Sequence, residues 1–259
     1  MKKRMIALGL CLALLLSMTG LAGAEGITVP EVTVKQFEIP ENDALAFIRD
    51  MKAGWNLGNS FDAIDCYWLK NPMDYESAWC GVKATEGLID ALKEAGFNTL
   101  RIPISWHNHV DADYNIDEAW LNRAEEVASW AYDRDMYVIV NIHHDEDQFV
   151  PRKDHYEESA KYIEAIWKQI AAKFADYGDR LIMESMNEPR LTKSSYEWYF
   201  DKNSAECQEA ADCLNRLNQV FVDTVRATGG NNATRYLMVP GYDANPDYAC
   251  NEYFSMPED

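Results

Sequence analysis

Six polar residues stand where apolar runs of this chain give out, and their types suit proton transfer and hydrogen bonding. In Leu181-Ile-Met-Glu184-Ser-Met-Asn187-Glu188-Pro189-Arg190 a mostly apolar start turns polar. Pro189 cannot donate to a ladder, so the strand ends there and leaves Glu188 fixed beside the Asn187 amide. A carboxyl placed that way suits general acid or base work if burial or a neighbouring carboxylate raises its pKa. Strand alternation puts Glu184, Met186 and Glu188 on one side. Glu184 is then expected inside, below Glu188, as a structural carboxylate paired with Arg101 of another strand. His143 and His144 end the run that begins at Met136. Zinc would need more His and carboxylates from other strands. The chain has five His, and His107, His109 and His155 fall in or near loops. The histidine pair is therefore read as binding a polyhydroxylated substrate, with no metal and no cofactor. Asp111-Ala-Asp113-Tyr-Asn115-Ile-Asp117 mimics the start of an EF-hand but has Ile116 where the motif needs Gly and Asn122 where it needs Glu. It reads as a solvated loop and a helix cap.

The elements that must position these groups alternate. After a short β-like patch, Glu41 to Lys52 has helical spacing at Ala44, Phe47, Ile48 and Met51. Gly54-Trp-Asn-Leu-Gly-Asn59 reads as a first strand and its polar loop, and residues 63–82 as a long aromatic loop. A helix capped by Thr85, apolar at Leu88, Ile89, Leu92 and Ala95, stops at Gly96. Asp117 caps another, and helices follow near 157–175 and 205–227. Strands are expected at 97–103, 136–145, 181–190 and 236–241. Nearly continuous apolar strands alternating with helices mean a parallel sheet covered on both faces. No nucleotide-binding glycine pattern follows the first strand. In a (β/α)8 TIM barrel, chemistry gathers at C-terminal strand ends. Asn59, Arg101, His143, His144, Asn187 and Glu188 lie at or near such ends on four strands. The expected fold is an α/β TIM barrel of which about the first five βα units are present. Trp106, just after the second strand, is the best single candidate for an aromatic ring in the cleft.

Composition bounds the partners. The chain has 259 residues, 47% hydrophobic, with eight Trp and 14 Tyr, enough to bury a large core in one domain over 25–259. Residues 1–24 read as a signal peptide, with basic Lys2, Lys3 and Arg4, an apolar Met5 to Leu16 and a small-residue cleavage site at Ala22-Gly23-Ala24. A secreted, soluble monomer is expected. Removing the leader takes away three positive charges and no negative ones, moving the formal charge from −19 to −22. That balance argues against nucleic acid and anionic membrane as partners. Five cysteines remain, an odd number with no C-x-x-C pair, which argues against zinc. Cys66 with Cys80 and Cys207 with Cys213 are the near pairs if disulfides form. Asn232-Ala-Thr234 is a glycosylation sequon, though the bacterial-looking leader argues against its use.

The segment Leu181 to Arg190 resembles the acid/base signature of glycoside hydrolase family 5, the cellulase family. Gly54-Trp-Asn-Leu-Gly-Asn59, Gly96-Phe-Asn-Thr-Leu-Arg101-Ile-Pro103 and Val140-Asn-Ile-His143-His144 resemble its other strand ends. Their order is similar to a bacterial endoglucanase subfamily that includes lichenases and xyloglucanases. The resemblance runs from about residue 45 to the end of the chain. It implies a retaining reaction on a β-1,4-glucan, a polysaccharide substrate, with Glu188 as proton donor. It also implies that Asn187 binds the sugar 2-hydroxyl, that His143, His144 and Asn59 line the cleft, and that Arg101 orients the nucleophile. That nucleophile is a Glu on the family's seventh strand, with His-x-Tyr on the sixth and a sugar-stacking Trp on the eighth. Strands recur here about every 45 residues, so a full barrel would need about 370. The chain is therefore expected to be incomplete and inactive alone. A catalytically inactive carbohydrate-binding homologue, a metal-dependent barrel hydrolase, and a xyloglucanase, lichenase or mannanase are the alternatives.

Overall fold

The computed structural model describes residues 41–259. The leader and the β-like patch expected before Glu41 lie outside the described residues. Five strands form one parallel sheet: β1 (Gly54–Asn56), β2 (Thr99–Ile102), β3 (Tyr137–Asn141), β4 (Leu181–Glu184) and β5 (Leu237–Met238). Their spatial order is their chain order. A doubly wound sheet reverses direction at a switch point; this sheet steps one way throughout, as a barrel wall does.

Helices make the crossovers. α1 (Asp43–Met51) precedes β1, and α2 (Glu86–Glu94), α3 (Glu118–Tyr132), α4 (Tyr156–Lys173) and α5 (Ala205–Ala227) link successive strands. Side-chain caps set their starts: Thr85 accepts from Leu88, Asp117 from Trp120 and Ser204 from Cys207. Gly96 stops the turn after α2 with a φ of +95°, which a side chain would strain. The EF-like segment is a loop closed on itself: Asp111 Oδ1 accepts the amides of Asp113 and Asn115.

Alternation divides each strand between two layers. Leu100, Ile102, Val138, Val140, Leu181 and Met183 face the helices in the main core. Tyr137, Ile139 and Ile182 face the other way and pack on Phe47 and Met51 of α1. α1 thus floors the barrel interior, tied by Thr99 Oγ1 to the Met51 carbonyl at 2.7 Å. Of the expected apolar face of α1, Ala44 and Ile48 turn outward. β1 gives this interior room: a Cβ on Gly54 would meet Thr99 Cβ at 3.3 Å.

The 63–82 loop holds a 3-10 turn (Pro72–Ser77), whose buried Glu76 accepts from Arg123 Nε and Nη2 on α3 at 3.0 and 2.8 Å. β5 is anchored by buried Arg235, which donates to the carbonyls of Phe174, Tyr177, Gly178 and Leu181. The sequon residue Asn232 is buried, donating to the Ala171 carbonyl, and so is a structural residue. All five described cysteines are free thiols. Cys207 and Cys213 sit six residues apart on one rigid helix, which rules out that pair. No described helix is long and apolar enough to cross a membrane.

Candidate active site

The upper half of the sheet interior is polar because β1, β3 and β4 each end on a polar residue facing inward and β2 carries one a residue before its end. Asn56, Arg101, Asn141 and Glu184 meet there. Arg101 Nε donates to Glu184 Oε2 at 2.7 Å, and Nη2 to Glu184 Oε1 at 2.5 Å. Nη1 reaches Asn56 Oδ1 at 3.2 Å, and Nη2 also reaches Asn187 Oδ1 at 2.8 Å. The expected Arg101–Glu184 pair is present, and the expected inward turn of Glu184 with it.

Strand alternation fails beyond that point. β4 ends at Glu184, so Met186 is not carried to the same side; it packs in the helix-side core. The amide of Asn187 bonds the Ile142 carbonyl at 2.9 Å and starts a turn that lifts Glu188 above the strand end. Asn187 is nearly buried, and Glu188, with a side chain 43% exposed, opens to solvent. Because Arg101 holds the Asn187 oxygen, the amide nitrogen is left to donate outward. Asn59 occupies an exposed left-handed turn past β1 and makes no side-chain hydrogen bond among the described residues.

His143 and His144 sit edge to face, 4.4 Å between ring centroids. Buried Asp62 brings a carboxylate within 4.8 Å of both, a trio with the donor types of a metal site. The tautomer argues otherwise. Asn141 Oδ1 accepts the Ile104 amide at 3.1 Å, which orients its Nδ2 to donate to His143 Nδ1 at 3.1 Å. Burial, with the charges of His144 and Arg101, pushes His143 down to about 3, so it is neutral. Its single ring proton is therefore on Nε2. A metal there would drive that proton onto Nδ1, against the Asn141 N–H. The trio instead offers His143 Nε2–H and the Asp62 carboxylate, which suit hydroxyl groups. His144 behaves differently: burial resists its charging, but Glu146 and the charges of Asp62 and Glu188 hold it above the ordinary value.

One aromatic expectation changes. Trp106 is fully buried, its Nε1 donating to the Asn141 carbonyl at 3.0 Å, so it braces β3 and takes no part in the cleft. A polar loop after a strand led to the wrong ring; the backbone turns Trp106 back into the core. The ring that does stand beside the histidine pair is Trp79, 42% exposed and 5.8 Å from His144. Sequence reasoning also missed Glu146, Arg190 and Trp198, which come together only through loop packing: Arg190 bonds Glu146 at 3.2 Å and lies 4.2 Å from the Trp198 ring. Beside His144 and Glu146 opens a cavity of about 330 Å³, lined also by Asp65, Tyr67, His107 and Lys193.

Residues 62–259 match the family model described as "Cellulase (glycosyl hydrolase family 5)". The chain is 42% identical over 224 residues to Endoglucanase A of Ruminococcus albus, covering 86% of this chain and 59% of that protein. It is 46% identical over 195 residues to Endoglucanase B of Clostridium cellulovorans, covering 74% of this chain and 41% of that protein. Among solved structures it resembles a glycoside hydrolase 5 lichenase of Caldicellulosiruptor sp. F32, determined as a mutant with cellotetraose. That match has TM-score 0.84 and 51% identity, over 89% of this chain and 63% of the other. The chain thus spans about six tenths or less of these relatives.

Proposed function

The chain belongs to the cellulase family, glycosyl hydrolase family 5, and from that premise we propose that it forms the acid/base side of the active site of a secreted, retaining endo-β-1,4-glucanase. The observation that carries the reading is the set of bonds from Arg101 to Glu184 and Asn187, which fixes the turn bearing Glu188 and aims the Asn187 amide outward. Relatives named endoglucanase and lichenase support a β-glucan substrate. The leader-like residues 1–24 support secretion.

In the first step Glu188 gives its proton to the glycosidic oxygen as the bond to the anomeric carbon breaks. Asn187 Nδ2–H and His143 Nε2–H bind hydroxyls of the sugar at the cleavage point, and Trp79 stacks on a neighbouring ring. In the second step Glu188 takes a proton from the water that releases the sugar. A retaining reaction needs a second carboxyl about 5–5.5 Å away. Glu184 is clamped by Arg101 and is not offered for attack. We assign that carboxyl to a barrel strand beyond the five of this sheet. Cellotetraose titration tests the reading. The chain is expected to bind it, with His143→Ala weakening binding about tenfold, and to release no reducing ends from carboxymethylcellulose. Absence of binding, or sustained hydrolysis by the 259-residue chain, would overturn it.

A further inference from the structure

One cation is packed beneath the turn that carries Glu188. Arg190 has a side chain only 11% exposed, and three segments converge on it. Its Nη1 donates to the Glu188 carbonyl oxygen at 2.8 Å and lies 3.6 Å from Glu188 Oε2. The same nitrogen meets Glu146 Oε1, from the segment after β3, at 3.2 Å. Nε lies 3.6 Å from Glu197 Oε1, and the guanidinium stacks 4.2 Å from the Trp198 ring, both from the loop before α5. Glu146 in turn lies 3.5 Å from His144 Nδ1.

We propose that Arg190 and Glu146 are positioning residues, a balanced charge pair that anchors the Glu188 turn and sets the pH at which the Glu188 carboxyl loses its proton. The proposal rests on the reading of Glu188 as the acid/base. An acid must keep its proton near the working pH. A cation within about 4–6 Å favours the carboxylate and works against that. Arg190 alone would therefore spoil the acid it anchors. Glu146 removes the conflict. Burial pushes its carboxyl up, but His144 and Arg190 hold it below the ordinary range, so it stands ionised beside the guanidinium. The pair presents Glu188 with a hydrogen bond and little net field. Other charges facing Glu188 are His144 at the end of β3 and Asp243 in the turn after β5. Glu197 faces it only across Arg190, and Arg101 is engaged by Glu184 and Asn187.

Opposite signs separate this role from simple support of the turn. Glu146→Gln removes one of the two carboxylates that oppose Arg190, and the Glu188 titration midpoint is expected to fall by about one pH unit. Arg190→Gln leaves Glu146 and Glu197 uncompensated, and the midpoint is expected to rise by a similar amount. Loosening the turn would move both variants the same way. The measurement is a carbon-detected NMR titration of the 259-residue chain labelled at glutamate carboxyls, with Glu188 assigned by its loss in Glu188→Gln. Glu146→Gln is nearly isosteric, so if Arg190→Gln fails to fold the sign of the Glu146→Gln change decides alone. A fall supports the pair; no change or a rise overturns it. The titration does not depend on hydrolysis. If the shifts appear but a completed barrel keeps full activity as Glu188→Gln, the acid/base assignment fails and the charge pair stands.

Discussion

Arg101 on β2 holds Glu184 on β4 through two parallel bonds across the intervening strand, at 2.7 and 2.5 Å. The side chains are 21% and 10% exposed, so neither charge is well solvated alone. The fork also fixes Asn187, and through it the turn that bears Glu188. Arg101→Ala leaves Glu184 buried and unpaired, which is expected to cost about 3 kcal/mol in urea unfolding. Arg101→Ala with Glu184→Ala removes both charges and is expected to recover part of that loss. A double variant no more stable than Arg101→Ala would contradict the pairing argument.

Acid should weaken the fold through His109. Its ring stacks on Trp120 at 3.8 Å, and both nitrogens lack a hydrogen-bond partner among the described residues. Burial lowers its pKa from 6.5 to about 4. The unfolded chain therefore binds a proton at a pH where the folded chain refuses it. Stability from this group is complete above about 6.5, falls as the pH drops, and is gone near 4, a loss of about 3 kcal/mol. His143, lowered to about 3, extends the slope. His109→Phe keeps the stack and removes the proton, so its urea midpoint at pH 4.5 should exceed that of the parent. Equal acid slopes in the two proteins would refute this.

Trp79 and Trp106 should separate cleanly. Trp79→Ala is expected to weaken cellotetraose binding about tenfold with little change in unfolding, since it removes a half-exposed ring beside His144. Trp106→Ala is expected to cost about 3–5 kcal/mol of stability, since it empties a core site and strands the Asn141 carbonyl. Calorimetric titration and urea unfolding read the two effects independently.

Asn141 should control the His143 tautomer. Asn141→Asp replaces a donor with a carboxylate that accepts from Nδ1–H and so draws the ring proton to that side. It also sets a second acid near Glu184, whose Oε1 lies 3.4 Å from the present amide. Nitrogen NMR of the imidazole should show Nε2–H in the parent and Nδ1–H in the variant, with weaker cellotetraose binding. An unchanged tautomer would mean that the amide does not set it.

The strand-to-helix alternation, the Asp117 and Thr85 caps and the Arg101–Glu184 pair were legible because each follows from a local rule: apolar runs, cap residues, and the need of a buried carboxylate for a partner. The place of Glu188, at the polar end of an apolar run, was legible for the same reason. Its orientation was not, because alternation holds only while the ladder continues, and the ladder stops at Glu184. Arg190, Glu146 and Trp198 escaped notice since loops set their meeting. Trp106 misled because proximity to a strand end says where a residue starts, not which way its side chain turns. The near pair Cys207 and Cys213 was excluded once both fell on α5.

The account turns on Glu188 as acid/base, and azide rescue tests it most directly. In a protein carried to a closed barrel, Glu188→Ala should slow hydrolysis of carboxymethylcellulose by about 10³-fold while retaining the first-step release of dinitrophenol from a dinitrophenyl cellobioside, whose leaving group needs no proton, and losing the second step, which needs the base. Added azide should restore turnover and yield the β-glycosyl azide. Equal loss on both substrates, or no rescue, would contradict the assignment.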